Sequence, residues 1–173
     1  LDLTRTIFEV IDMRSFSNLW YWIALAVVWS SASHFVLGVP YDVVQRARRQ
    51  GGEAMVDFED LVRININRIL YIADVAGMFL LGFWAFVLTT LLVLAFWYGI
   101  EFAQAVVLIA LPMTLVFAMT VRLARIIAAE GQGGEVLIRR IVRQRFWIQV
   151  IGMIAIFVTA MYGMYWNLAV VPF

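Results

Sequence analysis

Apolar positions along this chain follow two patterns. Four stretches are apolar on every side: Leu19 to about Gly38, about Val75 to Trp97, Phe102 to Val121, and Phe146 to Trp166. Each approaches the roughly 20 residues needed to cross a hydrocarbon core as helix. The segments between them carry apolar residues on one face only. Met55, Phe58, Leu61, Val62, Ile66 and Ile69 recur at helical spacing, with Asp57, Glu59, Asp60, Arg63 and Asn67 on the other side. The second helix therefore extends back to about Ala54 and the fourth to about Glu135, several turns beyond the bilayer. The pattern predicts an all-α membrane protein with four transmembrane helices, about 19–38, 75–97, 102–121 and 146–166.

The opening stretch, LDLTRTIFEVIDMRSFSN, spaces Leu3, Ile7, Phe8 and Ile11 helically and includes Asp2, Glu9 and Asp12. It reads as an amphipathic helix over 1–18 on the outer face rather than a signal peptide. The chain opens at Leu1 rather than methionine, so a short preceding segment is expected.

Composition agrees with this class. Of 173 residues, 64% are hydrophobic and 14% charged, against roughly 45–50% and about 25% in soluble domains. Every basic residue is arginine, and position matters more than the net charge of +1. Arg46, Arg48, Arg49, Arg63 and Arg68 lie between the first and second spans. Arg122, Arg125, Arg139, Arg140, Arg143 and Arg145 lie between the third and fourth, whereas YGIEF has none. The positive-inside rule puts both arginine-rich linkers in the cytoplasm and both termini outside, at a bacterial inner membrane. Trp20, Trp22, Trp97, Trp147 and Trp166 sit near span ends, as interfacial tryptophans do.

Each arginine-rich linker contains QGGE, at 50–53 and 132–135. Glycine ends a helix in the left-handed conformation at little steric cost, and a glutamate just beyond suits the positive end of the next helix. The tetrapeptide thus reads as a joint between an inbound and an outbound helix. The competing reading is an anion site made of glycine amides and arginines. Arg63 and Arg68 align with Arg140 and Arg145 across a five-residue insertion. Two tandem hairpins related by an axis along the membrane normal explain that match; so does coincidence.

Several polar residues are candidates for chemistry. Ser30, Ser33 and His34 share a face of the first helix. The serines serve close packing and interhelical hydrogen bonds; His34 is a hydrogen-bonded histidine near the cytoplasmic interface, or a proton or metal contact shared across an oligomer. Asp74 is an intramembrane charge near the interface, within reach of an arginine. Glu101 and Gln104 stand one turn apart at the outer end of the third span. They solvate a turn, or in a ring of subunits they form a cation-attracting mouth. Pro112 is expected to kink the third helix. Thr89, Thr90, Thr114 and Thr159 are expected to bond back to their own helices.

With no cysteine there is no thiolate nucleophile or cysteine-held cluster. The sequence shows no serine–histidine–acid spacing, metal-ligand cluster or phosphate-binding loop. A non-enzyme is expected, without cofactor or metal, and nothing in the pattern calls for nucleic acid.

The stretch IDMRSFSNLWYWIALAVVWSSASHFVLGVPYD, from Ile11 to Asp42, resembles the N-terminal part of a family of small four-span alphaproteobacterial membrane proteins. Its members carry the name "component of SufBCD complex", the Suf iron–sulphur assembly complex. The resemblance implies no activity and no catalytic residues. Without cysteine, this chain would join such a complex only as a membrane partner.

The resulting expectation is an inner-membrane subunit or scaffold, engaging a protein partner or anionic lipid through Arg46, Arg48, Arg49, Arg139, Arg140 and Arg143. The alternative is a homo-oligomeric cation channel or transporter with Glu101 at its mouth and Gln104, Ser30, Ser33 and His34 along its path.

Overall fold

The computed structural model describes residues 3, 19–131 and 133–170. The helix expected over 1–18 falls outside the described residues apart from Leu3. The fold is nearly all helical. Helix α1 covers Leu19–His34, and a hairpin of β1 (Phe35–Val36) and β2 (Val39–Pro40) follows it. Helix α2 covers Tyr41–Gln50, α3 Gly52–Leu92, α4 Glu101–Glu130 and α5 Gly134–Val170. Helix α3 ends in a π-turn, Val93–Trp97.

Among the described residues, three helices are long and apolar enough to cross a bilayer: Gly52–Trp97, Glu101–Glu130 and Gly134–Ala169. The 46 residues of the first reach about 69 Å at 1.5 Å per residue, twice the ~30 Å core. The long helices expected from the 55–69 stripe are therefore present. Phe58, Val62 and Ile66 are buried, and Met55, Leu61 and Ile69 pack around them.

The first expected span is shorter than the sequence suggests. Helix α1 has 16 residues, about 24 Å. Past His34 the chain reverses through Leu37 and Gly38, at φ 55° and 72°. Positive φ at both central residues gives the twist that joins a two-residue hairpin loop to its strands. Val36 then pairs with Val39 and Phe35 with Pro40. The apolar run FVLGVP thus folds back, burying Val36, Leu37 and Val39 in the core.

Neighbouring helices pack in the order α3, α4, α5, α1, with α2 against α3. The main core gathers at the arginine-rich end. It takes Val44 and Ala47 from α2, Phe58, Val62 and Ile66 from α3, Leu123, Ala124 and Ile127 from α4, and Leu137, Ile138 and Ile141 from α5. Towards the opposite end it continues through Leu25, Trp29, Ile148 and Ala155. A Cβ at Gly152 would lie 3.0 Å from the Trp29 indole, so glycine lets α1 and α5 approach there. Helix α4 runs unbroken through Pro112.

Candidate functional site

The two QGGE joints differ in construction. At the first, the Gly51 amide donates to the Ala47 carbonyl (3.1 Å), closing α2. Gly51 and Gly52 have φ 59° and 54°, which glycine adopts without a Cβ penalty. This joint links the polar helix α2 to α3. It does not join two spans, because the hairpin makes the turn after α1.

At the second joint, the left-handed cap of α4 is Gly131, one residue before the tetrapeptide, and its amide donates to Ile127 at 2.9 Å. Gly134 has φ 62° and donates its amide to Glu59 Oε1 at 2.8 Å. A Cβ on Gly133 would meet the same carboxylate at 3.2 Å. Glu59, on α3, therefore satisfies an otherwise unpaired amide at the start of α5 and sets a negative charge at its positive end. Glu53 and Glu135 occupy the first turns of α3 and α5.

Around these joints the arginines divide by role. Arg145 Nε donates to the Ser33 carbonyl (3.2 Å), and its guanidinium lies 3.9 Å from the centre of the Tyr41 ring. It ties α5 to the C-terminal end of α1, where a cation is favoured, and to the first residue of α2. Arg140 pairs with Glu130 across the second joint, and Arg63 pairs with Asp60 at 3.7 Å. Arg46, Arg48, Arg49, Arg139 and Arg143 are exposed and make no ion pair among the described residues.

Ser30 and His34 are exposed, and Ser33 is half-buried. Ser33 Oγ donates to the Ser30 carbonyl at 3.1 Å, and the His34 ring meets Phe35 edge-on. Asp74 is exposed on α3 and makes no ion pair among the described residues, so the expected arginine partner is absent within them.

Glu101 and Gln104 do not face open water at a turn: they are 5% and 4% exposed. The neighbouring positions Ala103 and Ala105 are alanine and buried, so this part of α4 packs closely. Gln104 Nε2 donates to the Ala95 carbonyl (2.8 Å) inside the π-turn, while its Oε1 has no partner among the described residues. Nearby, Tyr21 donates to the Ala105 carbonyl at 3.1 Å. The expectation that Glu101 solvates a turn is therefore corrected: in the single chain its carboxylate is withdrawn from water. Thr89, Thr90, Thr114 and Thr159 each donate to the carbonyl four residues back. Thr114 also accepts from Trp84 Nε1 at 2.9 Å, linking α3 to α4.

Sequence reading missed Glu59 and Arg145 as organising residues. Both act over long chain separations and carry no local signal beyond their charge. Among the described residues, no three His, Cys, Asp or Glu side chains gather as metal ligands. The chain matches no family model, no curated protein and no solved structure.

Proposed function

We propose that the chain is a non-enzymatic subunit or scaffold of a bacterial inner membrane, holding a rigid cytoplasmic head of helix ends for a protein partner. The observation that carries this reading is the pairing of a close-packed core around Phe58, Val62, Ala124, Ile138 and Ile141 with five exposed arginines that make no ion pair among the described residues. A packed head fixes those charges relative to one another, which favours recognition of an acidic protein surface. In this proposal α1 is a fourth, short crossing and both termini lie outside. Local bilayer thinning accommodates its length.

Affinity capture from native membranes in mild detergent tests the reading. The wild-type chain should recover a partner that is lost when Arg46, Arg48 and Arg49 are all changed to Gln. Recovery of this chain alone, repeatedly, overturns it. The resemblance at Ile11–Asp42 makes the iron–sulphur assembly complex the first partner to probe. Topology has its own test. The chain has no cysteine, so single introduced cysteines report sidedness cleanly. Gln50→Cys should label only from the cytoplasm and Tyr98→Cys, at an exposed position, only from outside.

A further inference from the structure

An open groove of about 350 Å³ lies where the hairpin and the end of α1 meet α3 and α4. That is near the lower end of the range for small-ligand sites, roughly 300–1,000 Å³. Its polarity is graded along two antiparallel helices. On α3 the lining runs from Asn65 and Arg68 to Ile69 and Ile72; on α4 it runs from Thr120 to Phe117, Val116 and Met113. Polar side chains from both helices thus stand at the arginine-rich end, and apolar ones extend towards the middle of the apolar segment. The groove opens sideways past Phe35, Ile72 and Phe117, which are 52%, 48% and 71% exposed.

Its polar end is basic and unneutralised. Arg68 makes no ion pair among the described residues, and no carboxylate lines the groove. The Thr120 hydroxyl hydrogen is committed to the Val116 carbonyl (2.9 Å), leaving Arg68 and the Asn65 amide as the side-chain donors. A Cβ at Gly38 would meet Asn65 Nδ2 at 3.1 Å, so the glycine hairpin tip closes directly on that amide. A guanidinium fork beside an amide donor suits a phosphate. Basic pockets between membrane helices are where acidic lipid headgroups bind.

We propose that this groove holds one anionic phospholipid, with its phosphate on Arg68 and Asn65 and an acyl chain laid along Ile72, Met113 and Phe117. The assignment stands independently of the scaffold reading, because none of the arginines of that reading lines the groove. A lipid seated there would fill the space between the hairpin and the α3–α4 pair.

Native mass spectrometry of the full chain, with phosphatidylglycerol or phosphatidylcholine of identical acyl chains, tests the proposal. One phosphatidylglycerol per chain should be retained, about fivefold in preference to phosphatidylcholine, whose phosphate is neutralised by its own choline cation; that is the discrimination expected of one arginine near a headgroup of net negative charge. Arg68→Gln should abolish that preference. Ile72→Trp keeps the arginine and fills the apolar part, so it should lower retention of both lipids. Circular dichroism melts establish that each variant is folded, and the two substitutions at exposed positions act on different parts of the groove. Unchanged preference in a folded Arg68→Gln chain overturns the assignment. So does loss of preference in the Arg46, Arg48, Arg49→Gln chain, which would mark general surface attraction. Displacement of the lipid by excess inorganic phosphate would show a headgroup-only anion site and also overturn it.

Discussion

The arginine-rich end of the molecule and the apolar run of α3 are parts of one chain built on opposite terms. At the first, four helices and a hairpin enclose a core in which Phe58 and Ala124 are fully buried. At the second, a single helix stands at the edge of the bundle. In its most apolar window only 6% of residues are buried, against 33% for α4 and 28% for α5. Val75, Met78, Phe79, Phe83 and Phe86 are all exposed. In water that surface would drive collapse. In hydrocarbon, the tails match it, and helices associate through packing and hydrogen bonds instead. The apolar run of α3 is therefore held chiefly by its own backbone bonds and few side-chain contacts.

The largest effect should come from two phenylalanines that differ only in region. Phe58→Ala should cost about 3–5 kcal/mol, as full-size core truncations do. Phe79→Ala, at a site 84% exposed, should stay within roughly 0.5 kcal/mol. Denaturant unfolding in one detergent measures both, and equal costs would break the comparison. The second joint comes next. Gly134→Ala forces a Cβ into the left-handed region and should cost about 1–2 kcal/mol. Glu59→Ala removes the acceptor for the same amide and should cost about 1 kcal/mol. Because both act at one point, the double variant should cost less than the sum, readable in a double-mutant cycle.

Trp84→Phe probes the link between regions by removing the bond to Thr114. A cost of about 0.6 kcal/mol is expected, the average for a hydrogen bond between membrane helices. The smallest effect belongs to Asp60→Asn. Its pair with Arg63 is more than half exposed on both sides, so the loss should be no more than about 0.3–0.5 kcal/mol and should vanish in high salt. A larger, salt-independent loss would show the exposed face of the head to be covered by something else.

The arginine-rich end is legible in sequence because its helices carry charge on one face and apolar residues on the other. A helix with one wet face must alternate, and the 55–69 stripe records which side turns inward. The apolar spans keep no such record, since lipid and protein surroundings favour the same residues. That is why the end of α1 was misplaced. FVLGVP has neither strand alternation nor an Asn-Gly turn, and two-residue strands are too short to show a period. Glu101 misled for a related reason. A carboxylate beside YG reads as solvated, and only the close packing of alanine-bearing α4 against its neighbours withdraws it. Glu59 belongs to the polar side of its stripe, but that position tells only half of its role. Its stem leaves the wet face, but its carboxylate reaches the start of a helix that begins 75 residues later.

The contact between Arg145 and Ser33 has a consequence in time. The two residues are 112 positions apart. At roughly 5–20 residues per second of synthesis, on the order of ten seconds separate their emergence. During that interval α1 has no α5 beside it, no guanidinium on its last turn and no Gly152 surface for Trp29. Helices α3 and α4 are complete before then and pack as sequence neighbours. Helix α1 is thus made before α3 and α4 but seated after them, and anything that attends it during biogenesis must release it when α5 arrives.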